Sequence, residues 1–595
     1  MKKRTAVVIL LLVLLAMAGL LGLALLSTGM GGLGKSVPAK TLLEVDLETA
    51  IPEYLPPDPW SEILDKGTMT TRDVVDALDR AAQDDRVVGL VARVGSSPVG
   101  LAQIQEIRDA VARFRAAGKP AIAWGETFGE FAPGNGAYYL ATAFDTLYLQ
   151  PSGDVGLTGM MFESPFLKGT LDKLGVEPRM DHRYEYKNAM NTFTETAYTD
   201  AHREAMQTIM DSMFGRMVRD VAAARQLSED EVRALVDRGP FLGQEAVEAK
   251  LVDALGYRDE VYAKAKERAG AGAELLYLDA YLDRAGRPNQ KGEAIALIYG
   301  VGGVARGEST HNPATGEVGM GSDTVAGALR AAIDDKDVKA ILFRVDSPGG
   351  SYVASDTIWR ETVRAKQAGK PVIVSMGNLA GSGGYFVAMA ADKIVAQPGT
   401  ITGSIGVLGG KMLTHGMWEK IGLSWDEVHT SANARMFTGT HDYSEAEWQR
   451  FQAWLDRVYG DFTAKVAEGR GLPLERVQEI AKGRIWSGET AKQIGLVDEL
   501  GGVDVALKLA RAAAGIAPDA DVELRLFPKA KSPFEELFGG GASSSEQEAA
   551  VQLAVSLLEQ ARPALRMAEK LGILGQEPGV LSMPVEMVPM AEDWR

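Results

Sequence analysis

The chain carries two copies of one pattern, and that limits its fold more than any other feature. The segment VVGLVARVGSSPVGLAQIQEIRDAVARFRAAGKPAIA, residues 87–123, aligns without a gap on VKAILFRVDSPGGSYVASDTIWRETVRAKQAGKPVIV, residues 338–374. Arg93 falls on Arg344 and Pro120 on Pro371. A second block pairs YYLATAFDTLYLQPSGDVGLTG from Tyr138 with YFVAMAADKIVAQPGTITGSIG from Tyr385, and a third pairs FLGQEAVEAKLVDALGY from Phe241 with IWSGETAKQIGLVDELGG from Ile485. Three blocks in the same order mean that whatever unit one copy builds, the other builds again. Within each copy, short β-branched runs such as AILFRV, PVIVSM and KIVAQ alternate with helical stretches such as ASDTIWRETVRAKQAG. That alternation predicts α/β architecture: a tandem repeat of two βαβ domains, each with a largely parallel sheet covered by helices. The expected divisions are 41–290 and 291–517, after an N-terminal segment 1–40. A tail follows at 518–595, with GGGASSSEQEAA as linker and an amphipathic helix kinked or broken at Pro563.

Function is sought where the copies disagree, since shared residues can serve the common fold alone. In LAGSGGYFVA, residues 379–388, Ser382 stands among three glycines; its counterpart in the first copy is Asn135. The paired glycines Gly349 and Gly350 of SPGGS are likewise missing from SSPVG in the first copy. Glycine at this density admits positive φ or a close approach, as a nucleophile on a strand-to-helix turn needs. The G-x-S-x-G elbow is not met, because position 380 is Ala. A serine nucleophile requires a base. None of the six histidines (His182, His202, His311, His415, His429 and His441) sits in a triad-like motif. Lysine is the other candidate. Matching Thr199 with Ser444 sets Lys187 of EYKNAMNTF opposite Ala432, so the lysine survives only in the first copy and the serine only in the second. The complementary losses point to one composite site, Ser382 from one domain and Lys187 from the other. The N–H of Gly383, with that of Gly349 or Gly350, is the natural oxyanion pair, and the apolar residues of NAMNTF would lower the lysine pKa by desolvation.

Composition narrows the classes. A net charge of −17 argues against nucleic acid as a partner. With no cysteine, disulfides, thiolate nucleophiles and cysteine-based metal sites are excluded. Met1-Lys2-Lys3-Arg4 precedes TAVVILLLVLLAMAGLLGLALL, an uncharged run long enough for a transmembrane helix and longer than the apolar core of a cleaved signal peptide. The positive-inside rule keeps Lys2, Lys3 and Arg4 cytoplasmic and sends the body across the membrane.

The motifs RVDSPGGS (344–351), LAGSGGYF (379–386), GTITGSIGV (399–407) and YKNAMNTF (186–193) together resemble the signal peptide peptidase A family in its long, membrane-anchored tandem form. The resemblance covers about 41–514 and the anchor. It implies a crotonase/Clp-protease-like fold and a serine–lysine dyad of Ser382 and Lys187, with Ser404 holding the amine. It also implies a homotetramer at the bacterial inner membrane with a periplasmic body, cleaving released signal peptides with no metal and no cofactor. Gly381 departs mildly from the small residue many relatives carry before the nucleophile. Two rival readings are a crotonase-like acyl-CoA enzyme and a catalytically inactive membrane scaffold.

Overall fold

The computed structural model describes residues 36–56, 67–312, 315–528 and 581–582. The expected membrane anchor, most of its tether and the tail helix at Pro563 lie outside the described residues. No helix among the described residues is long and apolar enough to cross a membrane.

The repeat appears as two α/β sheets with the same strand order. The first runs Ala254–Leu255, Thr146–Leu149, Ala121–Gly125, Val87–Arg93, Thr41–Asp46, Glu274–Tyr277, every pair parallel. The second repeats that order as Glu499–Leu500, Lys393–Ala396, Val372–Gly381, Val338–Ser347, Glu293–Val301, Val522–Phe527, these pairs again parallel, and adds a branch in which Ile401–Gly403 lies parallel to Val372–Gly381 and antiparallel to Ile485–Ser487. Parallel neighbours require crossovers, and helices such as Leu101–Ala116 and Tyr352–Gln367 supply them at matching places. The edge strands Glu274–Tyr277 and Val522–Phe527 are a fourth repeated block, not visible as sequence identity.

The match of Thr199 with Ser444 has a local cause. Each hydroxyl caps a long helix, Asp200–Arg225 or Glu445–Arg470, by accepting the backbone N–H of His202 or Glu447. The central strands are buried on both faces, as parallel sheets between helices require. The two halves are not independent bodies, because Leu379, Ile401 and Ile485 of the second half complete the core of the first.

A two-stranded antiparallel ladder joins the halves: Glu177–Arg183 of the first pairs with Val407–Leu413 of the second, in register Glu177↔Leu413 to Arg183↔Val407. Deeper in the joint, the buried Arg344 guanidinium donates to Glu53 (2.7 and 3.0 Å) and Glu106 (2.8 Å), both from the first half. A lone buried guanidinium would be costly; two carboxylates neutralise it.

Candidate active site

The bridging ladder sets the geometry of the site. Past the pair Arg183↔Val407 the two chains separate. Lys187 follows Arg183 closely on one side and Ser404 precedes Val407 closely on the other, so the side chains converge at the end of the ladder. Lys187 Nζ donates to Ser404 Oγ at 3.0 Å, to the Ser404 carbonyl at 3.1 Å and to Ser382 Oγ at 2.8 Å. An ammonium has three donors, and all three are used. A neutral amine has two; with both on Ser404, its lone pair faces the Ser382 hydroxyl.

Ser382 is presented by the turn between the strand Val372–Gly381 and the short helix Gly383–Ala388. It takes φ 54°, ψ −113°, a conformation costing a non-glycine residue about 1–3 kcal/mol. Its own N–H donates to the Gly403 carbonyl (2.8 Å) and its carbonyl accepts from Phe386 N (2.9 Å), which hold the turn. No histidine is among the partners of Ser382 in the described residues.

Lys187 and Ser382 are both buried. Burial lowers the lysine pKa from the ordinary value of 10.5 to about 7, with no carboxylate to counter it. The second half packs closely on it: Gly483, at φ +81°, lies so near that a Cβ there would stand 2.5 Å from Lys187 Cβ. Within NAMNTF itself, Asn188 and Asn191 are the buried residues. Sequence reading missed Gly483; its glycine in AKGRIW was the available signal, and it is not distinctive.

Two N–H groups flank the nucleophile. Gly383 follows it, and a Cβ on Gly383 would meet Ser355 Oγ at 2.7 Å and Gly350 N at 3.0 Å, so the Gly350 amide faces this turn. The Gly349 N–H is occupied, donating to Ser347 Oγ (3.2 Å), whose hydroxyl donates to the Gly302 carbonyl (2.7 Å). Of the two glycines that sequence left open, Gly350 is the one turned toward Gly383. The glycine strand Gly349–Gly350 lies parallel to Gly303–Ala305 on one side. On its other side the chain's own Leu581–Ser582 lies antiparallel, pairing Gly349↔Ser582 and Gly350↔Leu581. This edge, beside Ser382, is thus paired with an extended segment of the same chain.

The matching place in the first half is taken up by a hydrogen-bonded asparagine. Asn135 Nδ2 donates to the Gly159 carbonyl (2.8 Å), and its Oδ1 accepts from Thr158 N (3.1 Å) and Gly159 N (3.0 Å). Leu157 stands where the second half has Ser404. No cluster of side chains among the described residues could hold a metal ion.

The profile of peptidase family S49 matches residues 113–272 and 364–517, one stretch in each half. Protease 4 of Salmonella typhi is 35% identical over 447 residues, 73% of this chain and 70% of that protein. Protease 4 of Haemophilus influenzae is 32% identical over 474 residues, 76% of this chain and 75% of that protein. The chloroplastic serine protease SPPA of Arabidopsis thaliana is 28% identical, covering 78% of this chain and 69% of its own.

Proposed function

Because the chain belongs to peptidase family S49 and is a serine protease, we propose that Ser382 is its nucleophile and Lys187 its general base, hydrolysing peptides through an acyl-enzyme. The observation that carries this reading is the 2.8 Å contact between Lys187 Nζ and Ser382 Oγ, both residues being buried. In the neutral form Lys187 accepts the hydroxyl proton as Oγ attacks the scissile carbonyl, and the amine nitrogen bonds to the departing hydrogen as the O–C bond forms. The carbonyl oxygen becomes an oxyanion facing Gly383 N–H and Gly350 N–H, each such donor contributing about 3 kcal/mol to the transition state. The ammonium then protonates the leaving amine. A water, deprotonated by the same lysine, attacks the ester and frees Ser382. Ser404 orients the amine through its hydroxyl and carbonyl.

The substrate is an extended peptide added as a strand to Gly349–Gly350, where backbone pairing supplies binding and alternate side chains supply choice. The finer reading follows the resemblance: a crotonase/Clp-protease-like tandem fold of domains 41–290 and 291–517, anchored by the run 5–26 in the bacterial inner membrane with its body periplasmic. It acts on released signal peptides as a homotetramer. An acyl-CoA enzyme would have no use for a buried lysine on a serine, and an inactive scaffold would need neither.

A fluorophosphonate tests the reading. It should label Ser382 in the full chain, labelling should vanish in Ser382→Ala and Lys187→Met, and a bound peptide should slow it. Equal labelling of Lys187→Met would remove the lysine from the mechanism.

A further inference from the structure

The strand that delivers Ser382 does not run straight to it. Val372–Gly381 pairs with Val338–Ser347 as far as Val345↔Met376 and resumes at Ser347↔Ala380, so Gly377, Asn378 and Leu379 stand opposite Asp346 alone. This is a bulge with two extra residues on the nucleophile strand, ending three residues before Ser382. Without it the strand would slide by two residues and carry Ser382 about 6.6 Å from its place. The first half has no counterpart: the matching strands keep unbroken register up to Arg93↔Trp124, and Gly95 stands where the second half has Asp346.

Each residue of the bulge is held by a different element. The Gly377 carbonyl accepts from Thr400 Oγ1 at 2.8 Å. The Asn378 side chain exchanges hydrogen bonds with Gln103 of the first half, donating to its Oε1 at 2.6 Å and accepting from its backbone N–H at 3.2 Å. The Leu379 N–H donates to Asp346 Oδ1 at 2.9 Å, so a side chain takes the place of the ladder carbonyl that the bulge removes. The carboxyl fits because Gly377 has no side chain: a Cβ there would stand 2.9 Å from Asp346 Cγ. Desolvation raises the Asp346 carboxyl above the ordinary carboxylate range and Glu53 adds to it, while Arg344 and the amides of Leu379 and Asn378 oppose. A protonated carboxyl still offers a carbonyl oxygen, so the contact to Leu379 needs the shape of the group and not its charge.

Asp346 also reaches the other wall of the site. Its carbonyl accepts from Gly302 N at 2.9 Å, the Gly302 carbonyl accepts from Ser347 Oγ at 2.7 Å, and Ser347 Oγ accepts from Gly349 N at 3.2 Å. Ser347 in turn lies against Gly384, where a Cβ would stand 2.5 Å from the Ser347 carbonyl oxygen. One residue is thus tied by its side chain to the strand that ends at the nucleophile and by its backbone to the glycine strand beside it. We propose that Asp346 is a positioning residue of this protease: its carboxyl fixes the bulge Gly377–Leu379, and with it the distance from Ser382 Oγ to the amides of Gly350 and Gly383. This role rests on the reading of Ser382 as nucleophile, and the two can fail separately.

Hydrolysis of a fluorogenic peptide by full-length variants, per mole of enzyme shown to be folded by circular dichroism and urea denaturation, tests this role. Asp346→Asn keeps an oxygen of the same reach and should hold kcat within about threefold of the parent. Asp346→Ala leaves the Leu379 N–H without its acceptor and should lower kcat about a hundredfold, the cost of roughly 1 Å of misplacement, with KM moved far less. Gly377→Ala, whose Cβ would press on the carboxyl, should reproduce that loss. The double variant Asp346→Ala/Gly377→Ala should be no worse than the weaker single variant, because both changes remove the same contact. Unchanged kcat in folded Asp346→Ala, a loss in Asp346→Asn as large as in Asp346→Ala, or losses that multiply in the double variant would overturn the proposal. If Asp346→Ala does not fold, full kcat in Gly377→Ala overturns it alone. Peptide hydrolysis surviving in Ser382→Ala would strike the nucleophile instead, whereas a parent-like Asp346→Ala beside an inactive Ser382→Ala strikes only the role of Asp346.

Discussion

The pH dependence of acylation follows from the burial of one amine. Lys187 falls from 10.5 to about 7 because its ammonium is removed from water with no carboxylate nearby. That drop corresponds to about 5 kcal/mol of preference for the neutral form. Only the neutral form can accept the Ser382 proton, so kcat/KM should follow its fraction: roughly 9% at pH 6, half at pH 7 and 91% at pH 8. The rate should therefore rise about fivefold from pH 6 to 7, less than twofold from 7 to 8, and level off. A lysine at its ordinary pKa would give a tenfold rise per unit from pH 6 to 9 without levelling. The measurement is hydrolysis of a fluorogenic peptide well below KM, buffered at constant ionic strength, with active enzyme counted by fluorophosphonate titration at each pH. Unit slope persisting to pH 9 would refute the desolvated lysine as base. The same shift has a stability sign. The folded pKa lies below the unfolded one, so the cost of burying Lys187 is full below pH 7 and fades as pH rises toward 10.5. Lys187→Met should therefore be inactive yet more stable to denaturant at pH 6, by up to about 5 kcal/mol before lost hydrogen bonds are subtracted, with the gain shrinking by pH 10.

Other substitutions separate the halves and the parts of the site. Ser382→Ala should abolish peptide hydrolysis, whereas Asn135→Ala should keep it and lose about 1–3 kcal/mol of stability as the Gly159 loop is released, read by urea denaturation. Gly383→Ala should cost at least a hundredfold in kcat with the fold intact, since its Cβ would press on Ser355 Oγ and the Gly350 amide. Gly483→Ala should shift or abolish the pH profile by displacing Lys187; an unaltered profile would show the close approach to be unimportant. Ending the chain at residue 528 removes Leu581–Ser582 from the glycine strand and should lower KM for added peptides with kcat little changed.

The repeat, the α/β class and the family were legible because they are written in local patterns: β-branched runs, helical periodicity, capping residues at Thr199 and Ser444, and four short motifs. Comparing the copies also singled out Ser382 and Lys187, since a composite site leaves complementary losses behind. That the two belong to one site was expected from those losses; how the chain brings them together was not legible. It depends on a ladder between Glu177–Arg183 and Val407–Leu413, and strand pairing between segments far apart in the chain leaves little trace in either one. Nor could sequence see that the Gly349 N–H donates to Ser347, the contact on which Gly350 is proposed as the second oxyanion donor. The close approach of Gly483 and Ser404 to the lysine from across the joint was also hidden. Local sequence specifies elements through short-range sterics and periodicity, whereas a buried amine with a shifted pKa is a property of surfaces brought together, which only the tertiary structure decides.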